Sequence, residues 1–125
     1  MRSNPVRWFE IPVRDMDRTA SFYERLFSVT LERIEIDGNA MALFPSVDGA
    51  PGASGALACG DSYTPGAAGA RLYFGVDDID ATLRTALELG ARPHYPITSV
   101  EGVGFVAEFL DPEGNCIALH AATRA

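Results

Sequence analysis

Two short stretches decide the fold: Val13-Arg14-Asp15-Met16-Asp17-Arg18-Thr19 and Val76-Asp77-Asp78-Ile79-Asp80-Ala81-Thr82. They align without a gap, and the second starts 63 residues after the first in a chain of 125. Each follows a strand-like run and opens a helix-like one. Two copies at so long a spacing do not make a solenoid. They predict a duplicated α+β unit.

Reading outward from the first copy, residues 6–13 alternate as a strand. Phe9, Ile11 and Val13 fall on one face, and Trp8, Glu10 and Pro12 on the other. Asp15 or Asp17 can cap the next helix by accepting bonds from its free N–H groups. Thr19, Phe22, Tyr23, Leu26 and Phe27 then recur at helical spacing, as core or dimer packing. A strand over 31–36, the hairpin turn Asp37-Gly38-Asn39, a strand over 40–44 and a short strand within 55–59 complete the unit.

The second copy repeats that order. Leu72, Phe74 and Val76 share one strand face; Arg71, Tyr73 and Gly75 share the other. Asp78 can cap a helix carrying Ile79, Leu83, Ala86 and Leu87, and Gly90 stands where a helix end favours a left-handed residue. Strands follow around 91–98, interrupted by Pro93 and Pro96, then over 104–110 and 116–121, the last two joined by the turn Asp111-Pro112-Glu113-Gly114-Asn115. The prediction is one domain over 1–125 built of two βαβββ repeats, about 6–60 and 70–121, with Gly60 to Gly69 as linker.

Composition narrows the function. The ten cations are all arginine, against 17 acidic residues, for a net charge of −7. Without lysine there is no Schiff-base chemistry and no P-loop. An acidic chain without a basic cluster argues against nucleic acid and anionic membranes as partners. No apolar run approaches the roughly 20 residues a spanning helix needs, and no signal-like segment is visible, so a cytoplasmic location is expected. Cys59 and Cys116 read as buried thiols.

The duplicated unit, together with Phe22-Tyr23-Glu24-Arg25-Leu26-Phe27 and Asp111-Pro112-Glu113-Gly114-Asn115, resembles the vicinal oxygen chelate superfamily. That group includes glyoxalase, bleomycin-resistance proteins and extradiol dioxygenases, and the likeness is nearest to its small glyoxalase-like members. The resemblance implies two curved, antiparallel-rich sheets forming a cleft, and pairing of two chains as a homodimer. It also implies a divalent metal held by residues of the first and last strand of each repeat. Carried over position by position, those ligands fall on Trp8, Arg71, Ala118 and a residue within 53–60. That last stretch has no carboxylate, side-chain amide or imidazole. No metal or other cofactor is therefore expected. The alternative is a divalent metal at a relocated site one step along the strands, at Glu10 and His120.

The remaining candidates carry open alternatives. Glu10 and His120 form either a polar dyad, with His120 as general base or ligand, or ordinary rim side chains. Trp8 either stacks on a planar ligand or fills the cleft. Arg71 needs an acidic partner, which is Glu10, an acidic ligand or solvent at the rim. Tyr73 is a hydrogen-bonding group or a core aromatic. His94 reads as surface, Glu108 faces either side, Asp111 to Asn115 as a structural turn, and Asp77, Asp78 and Asp80 as helix-start charges.

Three functions follow. The favoured one is a small-molecule-binding glyoxalase-like protein that has lost the usual metal-ligand positions. The resemblance to bleomycin-resistance proteins, and the acidity, suit a cationic ligand. The alternative is an enzyme of lyase, isomerase or dioxygenase type. It would use Glu10, His120 and Tyr73 for acid/base chemistry, or the relocated metal. The third is a dimerisation or regulatory module whose cleft is plugged by its own side chains.

Overall fold

The structure is a computed structural model that describes residues 1–124. Its elements run β1 (Phe9–Pro12), α1 (Met16–Phe27), β2 (Glu32–Ile36), β3 (Asn39–Leu43), β4 (Gly55–Cys59), β5 (Leu72–Gly75), α2 (Ile79–Glu88), β6 (Arg92–Val100), β7 (Gly104–Leu110) and β8 (Cys116–Ala121). This is βαβββ twice. The chain falls into two compact units that meet between Pro65 and Gly66. Each unit has one four-stranded mixed sheet, ordered β1-β4-β3-β2 in the first and β5-β8-β7-β6 in the second.

The two helix starts repeat the same hydrogen bonds. Asp15 and Asp78 both sit in extended backbone just before a helix. Asp15 Oδ1 accepts from the Arg18 N–H at 3.1 Å, and Asp78 Oδ1 from the Ala81 N–H at 3.0 Å. The Thr19 and Thr82 N–H groups return to the Asp15 and Asp78 carbonyls. Two of the N–H groups that open each helix are thereby satisfied by one residue. The outgoing strands repeat as well: β1 pairs parallel with β4, and β5 with β8.

In the first unit, α1 lies on the sheet face of Ile11, Leu57 and Ala42. Tyr23 is fully buried there and meets Phe44 edge-on at 5.7 Å between ring centroids. Phe22 and Leu26 are buried and Phe27 partly so, which places the helix stripe in the core. Gly55 faces Phe9, and a Cβ at Gly55 would collide with the Phe9 carbonyl and ring. In the second unit Leu72, Ile117 and Phe109 are in register on one face, and Tyr73, Ala118 and Glu108 on the other. Helix α2 ends in a Schellman motif. Gly90, at φ +100°, donates to the Leu87 carbonyl, and Ala91 donates to Ala86.

Four expectations are corrected. The first strand is shorter than 6–13 and leaves Trp8 just outside it. The strand expected over 91–98 extends from Arg92 to Val100 despite its prolines. As the edge strand it has a side without ladder bonds, where proline costs little, and its pairing with β7 shifts register at Pro93/Tyr95 and Tyr95/Thr98. Cys116 is buried as expected, but Cys59, at the end of β4, is only partly so. The hairpin turn is where it was read but is two residues long: Asp37 and Gly38 both have positive φ, and Asn39, read as part of the turn, already pairs with Ile36 as the first residue of β3.

Candidate functional site

In the first unit, the sheet face away from α1 carries Glu10, Pro12, Met41, Leu43, Ala56 and Ala58, by the alternation of the paired strands. Met41, Ala56 and Ala58 form a buried cluster with Leu43 and Tyr63 packed against it. Tyr63 reaches this face because the chain turns back after β4, its N–H bonded to the Gly60 carbonyl at 3.0 Å. Its hydroxyl donates to Glu10 Oε1 at 2.6 Å, while the Trp8 indole N–H donates to Glu10 Oε2 at 3.1 Å. By accepting the phenol's bond, the Glu10 carboxylate raises the Tyr63 pKa above the ordinary tyrosine value. Glu10 is exposed and has no salt-bridge partner among the described residues. Trp8 is 45% exposed. The result is a carboxylate whose charge is held between two neutral aromatic donors.

In the second unit, the face of Tyr73, Ala118 and Glu108 is polar at one end. Arg71 Nη1 donates to Glu108 Oε2 at 2.6 Å. The partner of Arg71 is therefore Glu108, correcting the expectation of Glu10, a ligand or solvent. That bond, with the negative charge behind it, raises the Arg71 pKa further. Glu108 Oε1 accepts from the Cys116 thiol at 3.7 Å and lies 3.8 Å from His94 Nε2. Burial first, and Glu108 second, push the Cys116 thiol up. Tyr73 is 51% exposed, so it is not a core aromatic. His120 Nε2 lies 2.6 Å from the Val103 carbonyl. A carbonyl oxygen only accepts, so Nε2 is the donor in this contact.

The turn at 111–115 is structural. Asp111 Oδ1 accepts from the Glu113 and Asn115 N–H groups, both at 2.9 Å, and Asn115 Oδ1 accepts from Gly66 N–H at 3.0 Å. Asp80 at the start of α2 is paired with Arg124 at 2.9 Å.

Of the four positions to which the resemblance assigns a divalent metal, three offer it no ligand. Trp8 offers an indole N–H already given to Glu10, Arg71 a guanidinium already given to Glu108, and Ala118 a fully buried methyl. None supplies a lone pair to a cation.

Sequence reading missed Tyr63 and left Glu108 unassigned. Tyr63 lies in the stretch read as linker, and nothing local marks its return to the sheet. Glu108 did leave a signal. With Leu110 and Cys116 closing the hairpin around the turn, alternate pairing puts Glu108 opposite Ala118, as observed.

Residues 6–119 match the sequence profile of the glyoxalase/bleomycin resistance protein/dioxygenase superfamily. Among solved structures, the chain is 25% identical to TnmS3, an antibiotic-binding protein from Streptomyces sp. CB03234, with a TM-score of 0.70 over 97% of this chain and 98% of that one. It is 26% identical to a glyoxalase/bleomycin resistance protein from the same Streptomyces, at a TM-score of 0.64 over 91% and 97%. The fosfomycin resistance protein FosX of Listeria monocytogenes shares the fold at 21% identity and a TM-score of 0.65, over 97% and 92%. No curated protein matches the chain in sequence. The repeat, the two mixed sheets and the span of the match make this chain a member of the glyoxalase/bleomycin resistance protein/dioxygenase superfamily.

Proposed function

We propose that this small-molecule-binding glyoxalase-like protein takes a cationic, aromatic ligand of antibiotic type. The family's metal-ligand positions have been given over to other work. The observation that carries the reading is Glu10: both its oxygens are held by aromatic donors, and no cation neutralises it among the described residues. A cation brought against that carboxylate gains charge-assisted bonding. The exposed indole of Trp8 beside that carboxylate offers the ligand an aromatic surface. The net charge of −7 favours the same ligand class, and similarity to an antibiotic-binding protein supports it. In this reading the protein sequesters its ligand, acts as a homodimer in the cytoplasm, and needs no metal at the family's positions.

A thermal-shift screen of cationic aromatic antibiotics, with neutral analogues as controls, tests it. A ligand at 100 times its Kd stabilises the folded state by about 2.7 kcal/mol. For a domain of this size that raises Tm by on the order of 10 °C. Cationic compounds should produce such shifts, and Glu10→Gln should weaken binding by about tenfold or more. A screen in which nothing shifts Tm, or in which neutral analogues bind as well as cations, overturns the proposal.

A further inference from the structure

We infer that His94, Glu108 and Cys116 form a zinc-type metal site, with ligands other than the residues to which the superfamily resemblance assigns a metal. Three successive strands of the second unit supply one donor each: an imidazole from β6, a carboxylate from β7 and a thiol from β8. One ligand atom of each lies within 4.8 Å of the other two. Both neighbours converge on the same carboxylate oxygen: Cys116 Sγ is 3.7 Å and His94 Nε2 3.8 Å from Glu108 Oε1.

Those separations have a specific meaning. A tetrahedral zinc with bonds of about 2.0–2.1 Å to N or O and 2.3 Å to S spaces its ligand atoms about 3.3–3.6 Å apart. The two observed distances need to close by only a few tenths of an ångström. The third separation, between His94 and Cys116, can close by movement of His94. Its side chain is 43% exposed and it lies in the register shift between Pro93 and Tyr95.

The donor set selects the metal. A thiolate beside an imidazole suits zinc and rejects magnesium and calcium, which want oxygen alone. Arg71 completes the arrangement. Its bond to Oε2 at 2.6 Å fixes the carboxylate and leaves Oε1 turned towards the other two donors. The Glu108 side chain is only 11% exposed, so its orientation is set by these neighbours rather than by water. Three protein ligands leave a fourth tetrahedral position, the pattern of zinc sites that bind an exchangeable molecule.

The inference stands apart from the ligand reading, which rests on Glu10, Trp8 and Tyr63 in the first unit. Its test uses Co²⁺ as a spectroscopic stand-in for zinc, added to chelator-stripped full-length protein, followed by zinc competition. The expected result is one equivalent of cobalt with a sulfur-to-cobalt charge-transfer band that zinc abolishes. Cys59→Ser should keep the band. Cys116→Ser should lose it while retaining the native circular dichroism. His94→Ala, at an exposed position, removes one of three direct ligands and should weaken binding of either metal by at least about tenfold. Absence of the band, its survival in Cys116→Ser, its loss in Cys59→Ser, or unchanged affinity in His94→Ala overturns the site. Failure here leaves Glu10-dependent ligand shifts untouched, and failure of those shifts leaves the cobalt spectrum untouched.

Discussion

Two thiols that look alike in the sequence differ in the fold by what surrounds them. Cys59 ends β4 partly exposed, its sulfur 3.8 Å from the Arg14 carbonyl. Cys116 is buried beside a carboxylate, and both burial and that charge disfavour its thiolate, only partly offset by Arg71. Since the thiolate is the nucleophile, alkylation of chelator-treated protein at pH 8 should modify Cys59 well before Cys116. In a Cys59→Ser variant the midpoint of the pH–rate curve should lie above the ordinary thiol value of about 8.5. Arg71→Ala should move it higher still. The same shift has a sign for stability. A pKa raised by folding contributes stability that is present below the unfolded value and is lost as pH rises through the folded one. A midpoint at or below the ordinary value would contradict the burial seen here.

At the scale of elements, the two helix starts are a matched pair of internal controls. Asp15 and Asp78 make the same two bonds in the same backbone conformation. Asp→Ala at either cap should cost about 1 kcal/mol, read as a shift in urea midpoint with unchanged slope. A cap worth nothing at one site but not the other would show that the repeat is topological rather than energetic. These caps, the Asp37-Gly38 hairpin and the Gly90 helix end were legible in the sequence because each depends on residues within one turn of chain. The long edge strand β6 was less so. Pro93 and Pro96 break the local pattern, and only the neighbouring strand β7 shows that β6 continues past them. Glu108 with Arg71, and Tyr63 with Glu10, were out of reach for a similar reason. Each pair spans 37 and 53 residues respectively and depends on which strands lie side by side. Arg71 was recognised as needing an acid, but periodicity within one strand could not say which.

For the whole molecule, the net charge of −7 and the single carboxylate at Glu10 make different claims about the proposed cationic ligand, and salt separates them. Attraction by the overall charge acts over distances that salt screens, the Debye length falling from about 30 Å at 0.01 M to about 8 Å at 0.15 M. A contact with Glu10, bracketed by Trp8 and Tyr63, is shorter than either length and is screened much less. Stacking on the indole is nearly indifferent to salt. Calorimetric titration across that range should therefore show affinity falling several-fold for the native chain, mostly through the association rate. In Glu10→Gln the charge becomes −6, so the slope against salt should persist while affinity drops at every concentration. If Glu10→Gln instead removes the salt dependence and leaves high-salt affinity unchanged, Glu10 steers the ligand without touching it. The aromatic surface would then carry recognition alone.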